Sequence, residues 1–277
     1  MKHNSGFFDG PRGLRVFYQS WVPDAEVRFV FLLVHGMGEH SGRYMNLVDH
    51  FLPLGAAVYT WDHVGHGLSQ GKRERINTFK DYTDTLDTCF RRVQTQQPDI
   101  PVFLIGHSMG GAIALDYLLD HQAPFRGAIL SAPALKPPEK VSVLTLAAGK
   151  LLSKVAPDFG ILALDLDAVS RDPQIREDYI RDPLTFKGRT PVRLAVELLE
   201  AMDRIDRHAR RITLPFIILQ GTHDRLVDPE GAAIIFEKAG STDKTLKEYE
   251  GLFHEVFNEP EHGQVLADVE NWVDRLI

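Results

Sequence analysis

The sequence predicts an α/β fold: a mostly parallel, doubly wound sheet with a helical cap inserted into it. Three observations carry this expectation. Strand-length apolar runs alternate with helix-length patterns, the rhythm of right-handed crossovers between parallel strands. Val27–Val34 is apolar at every position but Arg28, as expected of a central strand buried on both faces. The alternation then stops between about Leu135 and Arg211, where no convincing strand pattern occurs. That stretch is too long for an ordinary loop.

The elements follow in chain order. Ser5–Phe8 and Leu14–Trp21 flank an Asp9-Gly10-Pro11 turn and read as a hairpin. After the Val27–Val34 strand come a helix near Tyr44–Leu54, a strand at Ala56–Trp61 and a long helix near Phe79–Gln97. A strand at Val102–Ile105, a helix at Gly110–Leu119 and a strand at Gly127–Leu130 complete the first half. The rhythm resumes with strand Pro215–Gln220, helix Glu230–Ala239, strand Thr245–Tyr249 and a last helix from about Glu261. The expected division is a core of residues 1–134 and 212–277, with residues 135–211 as a helical cap over the carboxyl edge of the sheet. Within the cap, Val141–Val155 is apolar nearly all round and is expected to act as a lid or pocket wall.

Composition excludes several classes of function. The 277 residues are 44% apolar and 25% charged, as in soluble globular proteins, so a disordered chain or a fibre is out. Thirty-one basic residues against 38 acidic ones give a net charge of −7 without a Lys/Arg block. A nucleic-acid partner held by phosphate neutralisation is therefore not expected. Cys89 is the only cysteine, which excludes an intrachain disulfide and a thiolate metal cluster. It falls on the apolar face of the Phe79–Gln97 pattern and should be a packed, inert thiol. The purest apolar run, Phe29–Val34, is far below the roughly 20 residues that a bilayer requires. The opening residues lack the apolar core of a signal peptide, so a cytoplasmic location is expected.

The chemistry gathers around Gly106-His107-Ser108-Met109-Gly110, with Gly111 after it. This matches G-x-S-x-G between a strand and a helix, a turn that exposes a serine at a helix amino end. A serine hydroxyl needs a base, and the base needs an orienting acid. In this topology the order runs serine, acid, histidine. Asp224 follows strand Pro215–Gln220 and His254 follows strand Thr245–Tyr249, both at strand carboxyl ends. Asp228 is the rival acid, but Pro229 behind it suggests a helix cap. Donors for an oxyanion should be the backbone amides of Met109 and of Met37, the latter in the loop His35-Gly36-Met37-Gly38.

Two motifs imitate other chemistry. Gly36-x-Gly38 lacks the correctly placed third glycine of a dinucleotide fingerprint. His63-x-x-His66 has no surrounding metal motif, and Gly65 and Gly67 mark it as a tight turn. No metal and no cofactor are expected.

G-H-S-M-G-G, H-G-M-G-E-H-S-G-R-Y and D-H-V-G-H-G-x-S together resemble the monoacylglycerol lipases of the α/β-hydrolase fold. The likeness extends to L-Q-G-T-H-D-R-L-V and D-K-T-L-K-x-Y-E-G-x-x-H and is weakest in the cap. It implies a Ser108–Asp224–His254 triad and an oxyanion hole at Met37 and Met109. It also implies head-group contacts from Glu39, Arg43 and Tyr179. One position departs: animal members carry a second histidine where this chain has Phe257. The implied activity is hydrolysis of single-chain lipid esters, monoacylglycerol first, through an acyl-enzyme. A lysophospholipase or broad carboxylesterase is the alternative, and a non-catalytic receptor on the same fold a more remote one. The expected partner is a small lipid ester, with transient membrane or micelle contact through the cap.

Overall fold

The computed structural model describes residues 1–137 and 141–277. Residues 138–140, near the start of the expected cap, lie outside the described residues. Strands β1 (Lys2–Asp9) and β2 (Arg15–Val22) form the opening antiparallel hairpin. The rest of the main sheet is built from β3 (Phe29–Val34), β4 (Ala56–Trp61), β5 (Val102–His107), β6 (Gly127–Ser131), and two late strands at Phe216–Gly221 and Lys244–Tyr249. The spatial order places β1 and β2 at one edge, then β4, β3, β5, β6 and the two late strands. Every pair from β4 onward is parallel, and β2 meets β4 antiparallel. The mostly parallel, doubly wound sheet is thus present.

Alternation along β3 shows how the core divides. Phe29, Phe31 and Leu33 join the cluster on the face covered by α1 (Met45–Phe51) and by the last helix, His262–Asp274. Val30, Leu32 and Val34 point the other way, toward α2 (Lys80–Gln96) and α3 (Met109–Leu118). A strand covered on both sides must be apolar at every position, which is why its sequence shows no period of two. Cys89 is buried in the second cluster, and burial pushes its thiol well above the ordinary range. It is the packed thiol that its position suggested.

The connection from β6 to the seventh strand of the sheet holds α4 (Val143–Val155), β7 (Gly160–Ala163), α5 (Pro173–Arg181), β8 (Arg189–Pro191) and α6 (Val192–His208). The main sheet and helices resume with β9 (Phe216–Gly221), α7 (Glu230–Lys238), β10 (Lys244–Tyr249) and α8 (His262–Asp274). Two findings correct the sequence reading. The connection is not wholly helical, because β7 and β8 pair as a short antiparallel ribbon. Strands of three and four residues are too short to show a period.

The second correction concerns α4. The expectation for it is a lid or pocket wall, and the pocket-wall half fails, because Leu144 is 83% and Leu151 66% exposed. The helix rests on α6 with its outer apolar side in solvent. Such a surface on a folded chain commonly marks a contact site.

Candidate active site

Ser108 stands at the junction of β5 and α3 with φ 53° and ψ −120°. Non-glycine residues rarely adopt such a conformation, which holds only when the surroundings enforce it. Here the amide of Ser108 donates to the Ser131 carbonyl at 2.9 Å, and its own carbonyl accepts from Gly111 and Ala134. The flanking glycines are required by contact. A Cβ on Gly110 would lie 2.1 Å from the Val34 carbonyl oxygen, and one on Gly106 2.5 Å from the Gly110 oxygen. The elbow therefore fits only because helix and strand meet with no side chain between them.

Asp224 and His254 come from the loops after β9 and β10, two adjacent parallel strands. His254 Nδ1 donates to Asp224 Oδ2 at 2.7 Å, and both side chains are buried. Asp224 Oδ1 accepts the amides of Leu226 and Val227, and Oδ2 also accepts from the Gln220 side-chain amide. Burial disfavours the Asp224 charge, but His254 and the two backbone amides prevail and hold the carboxyl below its ordinary range. Burial likewise opposes the His254 charge. The Asp224 carboxylate, helped by Glu255 and Glu39, outweighs it and raises the imidazole above its ordinary 6.5. The rival Asp228 instead pairs with Lys136 at 2.6 Å and accepts the Glu230 amide, the capping work its sequence context suggested.

Ser108 and His254 line one cavity of about 320 Å³. No hydrogen bond joins their side chains in this structure, a looseness common in sites without substrate. Met37 and Met109 line the same cavity, and their backbone amides have no partner among the described residues. They are therefore free to donate to a ligand.

The cavity has two unlike ends. Ile161, Leu162 and Leu164 from the β7 region, with Ala195, Leu198, Leu199 and Met202 of α6, make an apolar wall. Of the described side chains in the Val141–Val155 stretch, only Val141 reaches it. Glu39, Tyr179 and Glu255 lie at the polar end, beside His254. Glu39 Oε1 accepts from the Gly36 amide and the Tyr44 hydroxyl, each at 2.6 Å. Arg43 sits behind them and does not line the cavity. It donates to Glu39 at 3.1 Å and to both oxygens of Glu255 at 2.5 and 2.9 Å. Its guanidinium also stacks on the Tyr179 ring, 4.7 Å from the centroid. Burial raises the Glu39 carboxyl, whereas at Glu255 the paired Arg43 overcomes burial and keeps the carboxylate ionised.

Glu255 escaped the sequence reading. An acid beside a candidate base was visible, but its partner Arg43 lies 212 positions away in the chain. Phe257, the position expected to depart from the family's pattern, is buried in the core and does not line the cavity. The His63-x-x-His66 turn is structural. His63 donates from Nε2 to the His35 carbonyl and takes the Trp61 indole proton on Nδ1. Burial pushes His63 down to about 3 and His66 to about 4, so both are neutral packing groups. No cluster suited to a metal ion occurs among the described residues.

Comparison with known proteins places this geometry in a lineage. The family described as serine aminopeptidase, S33 matches residues 25–261. The monoacylglycerol lipase of Mycolicibacterium smegmatis is 37% identical, covering 96% of this chain and 95% of the relative. The monoglyceride lipase of Rattus norvegicus is 38% identical, covering 96% and 88%. The crystal structure of Paleococcus ferrophilus monoacylglycerol lipase superposes with a TM-score of 0.82 at 30% identity, covering 98% of both chains. An eight-stranded α/β sheet, a strained serine at the β5–α3 turn and relatives matched over nearly their full lengths lead to one assignment: the chain belongs to the monoacylglycerol lipase family of α/β-hydrolases.

Proposed function

We propose that this enzyme hydrolyses monoacylglycerols to a fatty acid and glycerol, with Ser108 as nucleophile, His254 as base and Asp224 as its orienting acid. The observation that carries the reading is the Asp224–His254 pair at 2.7 Å, facing Ser108 across a cavity with one apolar and one polar end. His254 takes the Ser108 proton as Oγ attacks the ester carbonyl. The amides of Met37 and Met109 receive the oxyanion. Collapse of this intermediate expels the glycerol alkoxide, which His254 protonates. Water then attacks the acyl-serine by the same route and releases the fatty acid. The energetic gain of seating the chain on the apolar wall is about 0.8 kcal/mol per buried methylene.

Residues 135–211 are the proposed cap, carrying the acyl wall and Tyr179. Glu39, Arg43 and Tyr179 are the proposed polar end around the glycerol, with Arg43 acting through its two carboxylates and Tyr179 through its ring, its hydroxyl being bound to Gly38. The exposed Leu144, Leu151, Val155 and Phe159 on the cap are the proposed contact with micelle or membrane. Among the described residues no helix is long and apolar enough to cross a membrane.

The test is a panel of esters at one acyl length: mono-, di- and triacylglycerol and a lysophospholipid. Release of fatty acid fastest from monoacylglycerol, with fluorophosphonate labelling at Ser108, supports the reading. Labelling at another residue, or no turnover of any ester, overturns it.

A further inference from the structure

The polar end of the cavity is asymmetric in charge. In an acyl transfer of the proposed kind, the departing alcohol must lie against His254, which gives it a proton. Glu255, the chain neighbour of His254, and Glu39 line the cavity with it and favour its charged form, and the His107 ring lies 4.9 Å from its own. Both glutamates are almost fully buried, at 5% and 3% exposure. The one cation they share, Arg43, is turned away from the cavity. It bonds both carboxylates, and the Tyr179 ring covers its face. Among the described residues, the only Lys or Arg on the cavity wall is Lys136, already held by Asp228 and Glu230. The alcohol subsite therefore presents two carboxylates and one arginine that is hidden behind them.

Carboxylate oxygens accept hydrogen bonds and cannot donate while ionised. Hydroxyl groups of a neutral polyol suit them. A phosphate brought beside them would set like charges together in a site with little water, where repulsion is far stronger than in solvent. Glu39 also flanks the nucleophile closely. A Cβ on Gly36 would meet Glu39 Oε1 at 2.8 Å and Ser108 Cβ at 3.2 Å. Glu39 Oε1 and the nucleophile's Cβ thus face the same glycine.

We propose that Glu255, together with Glu39, is a specificity determinant that rejects esters whose alcohol part carries negative charge. The inference rests on the ester-hydrolase reading of the site, and adds a reason for it to choose neutral polyol esters over phosphate-bearing ones.

The experiment compares 1-oleoylglycerol with 1-oleoylglycerol-3-phosphate in the same neutral-detergent micelles. The wild-type enzyme should favour the neutral ester in kcat/KM, and Glu255→Gln should narrow that ratio by about tenfold or more. Glu255→Asp, which restores the charge, should recover most of the preference. Loss on both substrates in equal proportion would mean that Glu255 only supports the fold, and would overturn the proposal. So would a wild-type enzyme indifferent to the phosphate. Should Glu255→Gln fail to fold, Glu39→Gln supplies the same comparison. Butyryl-ester turnover by the wild type separates the two readings: its absence would remove the hydrolase assignment itself, whereas turnover without charge preference would remove only this inference.

Discussion

The Tyr179 hydroxyl donates to the Gly38 carbonyl oxygen at 2.8 Å. The Phe186 amide donates to the same oxygen, also at 2.8 Å. Gly38 directly follows Met37, whose amide is the proposed oxyanion donor. Two groups of the β6–β9 connection thus hold the loop that must aim that amide. Gly38 has φ 74°, and a Cβ there would lie 2.7 Å from the Tyr179 oxygen. The close approach is open only to glycine.

Tyr179→Phe should therefore lower kcat on a monoacylglycerol and on the methyl ester of the same acid alike. One hydrogen bond of two is lost, so the expected decrease is about three- to tenfold. KM should change little. A loss confined to the glycerol ester would show that the hydroxyl serves the head group instead.

Ser108→Ala should leave the fold intact, since the Ser108 side chain makes no hydrogen bond here. Ester turnover should fall by about 10³-fold or more, with fluorophosphonate labelling abolished. Asp224→Asn should cost about 10⁴-fold, because the imidazole then loses its tautomer control. Asp228→Asn, by contrast, should affect only the start of α7. Steady-state kinetics on the three purified variants checks all of this.

The pH profile follows from the raised His254. The imidazole must be neutral to accept the serine proton, so kcat/KM rises as pH passes upward through its pKa. With Asp224, Glu255 and Glu39 all favouring the charged ring, that midpoint should lie above 6.5. Removing one negative charge disfavours the imidazolium. Glu255→Gln should then move the acid limb to lower pH, measurable on a short soluble ester.

Arg43→Met should act on stability. It strips both Glu39 and Glu255 of their cation, and unpairing buried charges costs about 3–5 kcal/mol. Urea unfolding should show the loss, larger at pH 8 than at pH 5, since protonation of the orphaned carboxylates relieves it. An unchanged midpoint would mean that water reaches these groups freely.

Acyl-chain selectivity should respond to the wall that the structure places at the cavity. Leu198→Trp should shift preference toward shorter chains. Leu144→Trp, on the open side of α4, should leave the chain-length profile of a soluble substrate unchanged. A hydrolysis series from butyryl to oleoyl esters separates the two outcomes.

Much of this molecule could be read from its sequence because the signals are local. Val27–Val34 announces a doubly covered strand, and Gly106–Gly111 announces a strained turn by its own glycines. Asp224 and His254 follow recognisable strands, so topology alone brings them together. What escaped depends on distant partners. Glu255 acquires meaning only beside Arg43, and the Tyr179 hydroxyl, in a residue expected at the head group, meets Gly38 instead. The α4 leucines misled for a related reason: an apolar helix face predicts contact but not with what.

Ser108 holds an unfavourable backbone conformation that its side chain does nothing to relieve. Sparsely populated conformations of this kind cost about 1–3 kcal/mol at a non-glycine residue. Glycine adopts them freely. Ser108→Gly should therefore yield an inert protein that melts at a higher temperature than the active one. At this single position, durability and activity are opposed, and selection for stability alone would favour loss of the nucleophile.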